Sequence, residues 1–391
     1  MIKVLTVVVD NHIGGIQNRI LSVGKDLKSQ GIQSIILTPN SDGDFSKIAQ
    51  DSGFKVYQAS IESPKLFTSF RNIFRNALWI LMFPVGVIET IRVIKRENID
   101  IVHINGLLAL HAVFAAKITK IPFIWHLVGT IYPPLLVRGI RPLFLWSKRI
   151  VLVTNKTKKY YLGDYFSEDV AKVIFEPVDT IRFQKGQNSE EYKAYLRSKY
   201  NIPLNSCIVG FVGNISPVKG LEYFLEVVKR QKGQSGTRAY FVIAGKVSKN
   251  HIAYLEKLYS LIDKYNLKKD IVLLEDFEYV QMIYSVLDIF LMTSISEGTP
   301  LVILEAMAME IPVIAPNVGG ISEQISNGET GFIVPPNDID ATLASLQVLV
   351  NSPDLRREMG KMGRERVSSL FSLEKCVQMH QDLYSEMVKH G

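Results

Sequence analysis

Cysteine is nearly absent from this 391-residue sequence: Cys207 and Cys376 are its two cysteines, far apart. That excludes a disulfide framework and a cysteine-based zinc cluster, and it suits a reducing cytoplasm. Long apolar runs are also missing. The opening MIKVLTVVVD breaks at Asp10 and carries no small-residue cleavage site, so it reads as a first strand and not a signal peptide. LWILMFPVGV (78–87) is too short and too interrupted to cross a bilayer. No G-x-G-x-x-G, short internal repeat or low-complexity stretch occurs. No zinc-finger or basic–aromatic RNA-binding signature is present, which sets nucleic acid aside as a partner.

What is there describes a globular chain of two domains. Hydrophobic residues make up 47% and charged residues 21%, enough for large cores, and the length suits two domains of roughly 150–200 residues. Charge is uneven: residues 1–180 hold 22 Lys and Arg against 14 Asp and Glu, a net of +8, and the remainder is −1. A basic first half implies an anionic partner.

Short apolar runs alternate with helical patterns throughout. IKVLTVVV (2–9), SIILT (34–38), FKVY (54–57), IDIVHI (99–104), PFIWHL (122–127) and RIVLVT (149–154) are strands of the kind buried on both faces of a parallel sheet. CIVGFVG (207–213), AYFVIAG (239–245), DIVLLE (270–275), DIFLMT (288–293) and PVIAP (312–316) repeat the scheme. The alternation predicts βαβ units in two doubly wound α/β domains. The polar QKGQNSEEYK places the join between Phe183 and Pro203. The domains are taken as 1–180 and 181–391, with the final helix, 372–389, packing back on the first domain.

Ligands of such sheets bind beyond the carboxyl ends of the strands, and the motifs fall there. SEGTPLVILEAMA (296–308) follows DIFLMT. Thr299 suits a helix N-cap and Pro300 the first helical position. The ensuing helix is apolar on every side except at Glu305. A lone buried carboxylate needs partners; a ribose diol would supply two donors, an Arg or Lys the structural alternative. Glu297 lies near the helix start, whose free N–H groups suit a diphosphate.

At this point the sequence resembles the retaining glycosyltransferases of family 4. Glu297 and Glu305 form the E-x(7)-E motif of that family. NVGGISEQISNGETGFIVPPND (317–338) is similar to the stretch that follows the motif, and IFEPVDTIRF (174–183) to the interdomain strand and turn. The resemblance implies a GT-B fold, two Rossmann-like domains with parallel sheets facing a central cleft. The first domain would bind the acceptor, the second a UDP- or GDP-linked sugar donor. It further implies that Glu297 contacts the donor sugar, that Glu305 holds the ribose, and that N–H groups around Gly298, Thr299 and Leu301 meet the diphosphate. GNISPVKG (213–220) matches the phosphate loop, with Gly213, Asn214 and Lys219 as contacts. The family usually has Arg where Asn214 stands, so one phosphate cation is missing. Gly15, of the Gly14–Gly15 pair, would face the donor phosphates. Gln17, Asn18 and Arg19 would sit near the acceptor.

His126 ends its strand and is expected to point toward the cleft; it resembles a family histidine near the reacting sugar, where it would act as a positioning group. His103 and His111 are read as structural. His103 and His126 have no nearby carboxylates in sequence to complete a metal site. Asp338-Ile339-Asp340 spells a D-x-D, but it opens a helix after PPND and reads as a cap.

The resemblance therefore implies sugar transfer with retention, without metal or cofactor and without a protein nucleophile. Lys219 and the 298–301 turn would stabilise the departing diphosphate, while Glu297 and His126 hold the sugar. The acceptor would be a glycan or a lipid-linked glycan. Residues 64–96 carry six basic residues against Glu89 alone, and LLVRGIRPLFLWSKR (135–149) is of the same kind. Both suit an anionic membrane surface, which would make this a cytoplasmic protein peripheral on the inner face of the membrane, and they suit equally a core helix with solvated basic ends. Two other readings share the fold: a nucleotide-sugar 2-epimerase, and a non-catalytic donor-fold subunit of a transferase complex.

Overall fold

The structure, a computed structural model, describes residues 1–61, 64, 70–129, 132–163, 167, 169–186, 189–232, 239–277 and 279–389; for 70–75, 77 and 78 it describes the backbone only. The chain forms two compact units, one of Met1–Glu176 with Leu373–Gly391, the other of Pro177–Ser372.

The first unit is built on seven strands: β1 (Ile2–Val7), β2 (Ile32–Pro39), β3 (Lys55–Ala59), β4 (Ile101–Asn105), β5 (Phe123–Leu127), β6 (Arg149–Leu152) and β7 (Ala171–Val173). They run in the order β3-β2-β1-β4-β5-β6-β7, every pair parallel. β4 and β5 are buried at every position. That explains the unbroken apolar runs: a parallel strand with helices on both faces has no side turned to water.

The second unit holds β8 (Cys207–Val212), β9 (Ala239–Ala244), β10 (Ile271–Leu274), β11 (Ile289–Leu291), β12 (Val313–Pro316) and β13 (Gly331–Val334). Its order is β10-β9-β8-β11-β12-β13, again all parallel. In both sheets the strand order reverses beside the first strand, between β1 and β4 and between β8 and β11. Such switch points open a crevice beyond the strand ends.

Three features differ from the sequence reading. β7 and β13 are strands that it did not separate from their flanking motifs. The polar stretch taken for the join contains a helix, Ser189–Lys199. Glu190 and Glu191 in its first turn and Arg197 and Lys199 in its last suit the helix dipole, and Leu196 is buried. The crossing between units falls ahead of it, after Glu176.

The final helix, Leu373–Lys389, belongs to the first unit. Its Cys376, Val377, Leu383, Tyr384 and Met387 complete a cluster with Val4, Val23, Leu27, Ile101, Ile124 and Val151. Arg149 and Lys172 bind its Glu386, Lys172 at 2.9 Å.

Candidate active site

The switch point of the second unit brings together the loops after β8 and β11. They are stitched by backbone contacts: Ile295 N–H donates to the Val218 carbonyl at 2.9 Å, and the Thr293 hydroxyl to the Lys219 carbonyl at 3.1 Å. Gly220, with φ of +60°, makes this approach possible, because a Cβ there would lie 2.3 Å from the Thr293 carbonyl oxygen. Lys219 ends a short 3-10 turn, Pro217–Lys219. Its Nζ lies 2.7 Å from Oε1 of Glu297, with side chains 19% and 9% exposed. Gly213 lies just past the end of β8, followed by Asn214, which is exposed.

Glu297 and Gly298 rest on the loop after β12. Gly320 N–H donates to the Gly298 carbonyl at 2.7 Å. Gly319 has φ of +57°, and a Cβ there would come 2.2 Å from the Glu297 carbonyl oxygen. The glycine pair of NVGG thus shapes the backbone that carries Glu297, and Gln324 beyond it donates to the Pro300 carbonyl at 3.1 Å.

The helix after Glu297 is Leu301–Ala308, with Pro300 as its N-cap. It begins one residue later than Thr299 as cap would give. Pro300 is extended at ψ of 113° and holds the cap position itself, while the Thr299 hydroxyl is buried with no hydrogen bond. Among the described residues, the N–H groups of Gly298, Thr299 and Leu301 have no hydrogen-bond acceptor. Free N–H groups at a helix start, with a lysine beside them, form a recess for an anion.

Glu305 lies one turn further along. Its Oε2 accepts from the Tyr284 hydroxyl at 2.8 Å. Burial pushes its carboxyl above the usual range, while Tyr284 and Arg182 oppose that shift. The partner is a tyrosine rather than the Arg or Lys of the structural alternative, and nothing in the sequence singles out Tyr284. Asp338 of the D-x-D caps the helix Ile339–Asn351 by accepting from Ala341 N–H at 2.9 Å. Asp340 pairs with Arg230 at 2.9 Å.

In the first unit, Gly15 opens the helix Gly15–Ser29. Arg19 and Gln17 are buried and Asn18 is exposed. His126 differs from expectation: it is 0% exposed. Arg19 reaches Glu176 at 2.9 Å, Asn105 at 2.5 Å and Nε2 of His126 at 2.8 Å. His126 Nδ1 lies 3.0 Å from His103 Nε2, and His103 Nδ1 lies 2.5 Å from the Tyr384 hydroxyl. A guanidinium only donates, so Nε2 of His126 must accept and its proton sits on Nδ1. The same logic puts the His103 proton on Nδ1, donated to Tyr384. Burial pushes all three histidines, His103, His126 and His380, below the usual range.

Both nitrogens of His126 are therefore occupied inside the unit, which explains why it does not point outward: Arg19 and His103 hold it in. The three histidines bring ligand atoms within 4.8 Å of one another, spacing that a metal could use. Arg19 opposes that use, since its charge abuts His126 and the tautomer it enforces puts a proton, not a lone pair, on Nδ1.

Two family models meet this chain. Residues 193–366 match Glycosyl transferases group 1, and residues 13–182 match Glycosyltransferase Family 4. Together the two matches span most of the chain and support a glycosyltransferase of GT4 type. Over 374 residues it is 26% identical to an Escherichia coli UDP-Gal:alpha-D-GlcNAc-diphosphoundecaprenol alpha-1,3-galactosyltransferase, covering 91% of this chain and 92% of that one. It is 29% identical over 245 residues to the Staphylococcus aureus capsular polysaccharide biosynthesis glycosyltransferase CapM, 62% of each. A crystal structure of a Rickettsia africae glycosyltransferase matches the fold at a TM-score of 0.83 and 24% identity, over 100% of this chain and 99% of that one. Anabaena HepE in complex with UDP matches at 0.83 and 16%, over 99% and 100%. Both units of this transferase thus have the GT-B architecture of two parallel-sheet, Rossmann-like domains. No helix among its described residues is long and apolar enough to cross a membrane.

Proposed function

We propose that this transferase moves a sugar from a nucleotide diphosphate donor to a lipid-linked or glycan acceptor, with retention and without a metal. The observation that carries the reading is the second unit's switch point, where Lys219, Glu297 and three free N–H groups surround one helix start. A leaving diphosphate gains charge as the sugar bond breaks; a cation and preorganised N–H donors there stabilise the transition state more than the ground state. Glu297 takes the donor sugar's hydroxyls and Glu305 the ribose. The first unit serves the acceptor side. His126 acts through packing, not by touching the sugar.

The relatives' names support a lipid-linked or polysaccharide acceptor. Supplying UDP- and GDP-sugars singly and measuring nucleotide diphosphate release, with the product anomer read by NMR, tests the reading. Release from none of them, or an inverted product, would overturn it.

The first unit carries a surface that suits an anionic membrane. On the helix Phe70–Glu97, Leu81, Val85 and Ile88 are exposed at spacings of four and three residues, and Arg92 and Lys95 continue the stripe. A row of aromatic contacts, Trp79–Phe83–Phe114–Trp146, links this helix to the exposed Leu145 and Trp146. Apolar residues with a basic end fit the interface of an anionic bilayer. The side chains of Arg71 and Arg75, expected to contribute, lie outside the described residues, as does Lys65.

A further inference from the structure

We infer that Tyr284 orients the Glu305 carboxylate for the donor's ribose, an inference that rests on the donor-site reading above. Tyr284 belongs to the helix Val280–Val286 and is fully buried. Its ring packs edge-on against Phe183 at 5.9 Å and lies tilted to Phe290 at 6.1 Å. The ring cannot move without disturbing β11, so the hydroxyl is a fixed point. The phenol has one proton, and of its two acceptors the Glu305 oxygen at 2.8 Å is nearer than the Val302 carbonyl at 3.3 Å.

Glu305 needs such a fixed point. It is the one charged side chain on a helix otherwise made of LVILEAMA, and a glutamate has several rotamers to choose from. By holding Oε2, Tyr284 leaves Oε1 with no hydrogen bond among the described residues, ready to accept from the two hydroxyls of a ribose. A hydrogen bond to the ionised form also favours the carboxylate over the acid, and burial alone would push this group the other way. Tyr284 is thus a positioning residue: it touches Glu305, and Glu305 touches the ligand.

The test uses UDP and GDP as separate binding probes, together with the 2′,3′-dideoxy form of whichever one binds. Tyr284→Phe keeps the ring between Phe183 and Phe290 and removes only the hydroxyl. It is expected to weaken the nucleoside diphosphate about tenfold, the size of one charge-assisted hydrogen bond, and to leave the dideoxy probe bound as by the parent. Glu305→Gln should follow the same pattern, and the double variant should be no weaker than Glu305→Gln alone. If Tyr284→Phe leaves both probes unchanged, or weakens both equally, the positioning role is overturned. If the parent itself binds the normal and dideoxy probes alike, the ribose role of Glu305 fails first. That outcome is separable from the failure of Tyr284 alone.

Discussion

Lys219 and Glu297, 78 residues apart in sequence, are joined by an ion pair of 2.7 Å at the head of the Leu301–Ala308 helix. Each loop brings one charge, and their backbones are fastened by the Thr293 and Ile295 contacts, so the pair is set by the fold and not by chance rotamers. A diphosphate arriving at the free N–H groups would share Lys219 with Glu297. The lysine is then held in place before the charge it must offset appears.

With Asn214 where a second cation would stand, Lys219→Ala is expected to lower donor turnover by at least about a hundredfold, the range for one transition-state donor. Asn214→Arg should be tolerated and should restore part of the activity of Lys219→Ala. Donor turnover in the two single variants and the double variant is the measurement. A Lys219→Ala protein as active as its parent would show that another cation faces the phosphates.

Activity should persist in EDTA. Asp338 is spent on a helix cap and Asp340 on Arg230, and Arg19 turns the histidine cluster away from a metal. Rates before and after chelation, then after adding manganese or magnesium, decide the matter. Loss in EDTA restored by either ion would contradict the expectation.

The buried histidines make the first unit acid-sensitive. Burial holds His380 down to about 4, whereas an unfolded histidine titrates near about 6.5. Its folded pKa is the lower of the two, so its contribution is present above about pH 6.5 and is lost as pH falls from there towards about 4. The loss is about 1.4 kcal/mol for each pH unit and each such histidine. Trp79, Trp125 and Trp146, the three tryptophans, all lie in this unit, so their fluorescence follows its unfolding in urea. Stability at pH 5.5 should be lower than at pH 7.5, and His380→Gln should flatten the difference. Equal stability at both pH values would mean that the cluster is already charged or open to water.

Vesicles of anionic phospholipid should bind the protein, and neutral ones should not, with binding falling as salt rises because screening acts within about 8–10 Å. Neutralising Arg92, Lys95 and Arg96 together should weaken it further. Sedimentation with vesicles of each kind reads this directly. Equal binding to neutral and anionic vesicles would remove the charge argument.

The strands were legible because burial on both faces writes itself as a continuous apolar run, and the all-round apolar LVILEAMA was legible as a buried helix. The helix Ser189–Lys199 was not, since Leu196 is its one buried residue and little apolar pattern remains to be read. His126 shows a deeper limit. Its position at a strand end was visible, but its direction is set by Arg19 and His103, 107 and 23 residues away. The Thr299 cap failed for a local reason, because Pro300 takes the cap position in extended backbone. Asp338 carried a true capping signal, with its side-chain oxygen and the donor Ala341 N–H three residues apart.

The helix Leu373–Lys389 closes over residues that a ribosome releases long before it. At about 5–20 residues per second, the stretch ending at Glu176 would emerge roughly 10–40 s ahead of the helix that shields Val4, Ile101 and Val151. During that interval those side chains and the Arg19–Glu176 pair lack Tyr384 and His380 above them. The nascent first unit is then a natural client for chaperones, and a stop codon before Leu373 would leave that exposure permanent.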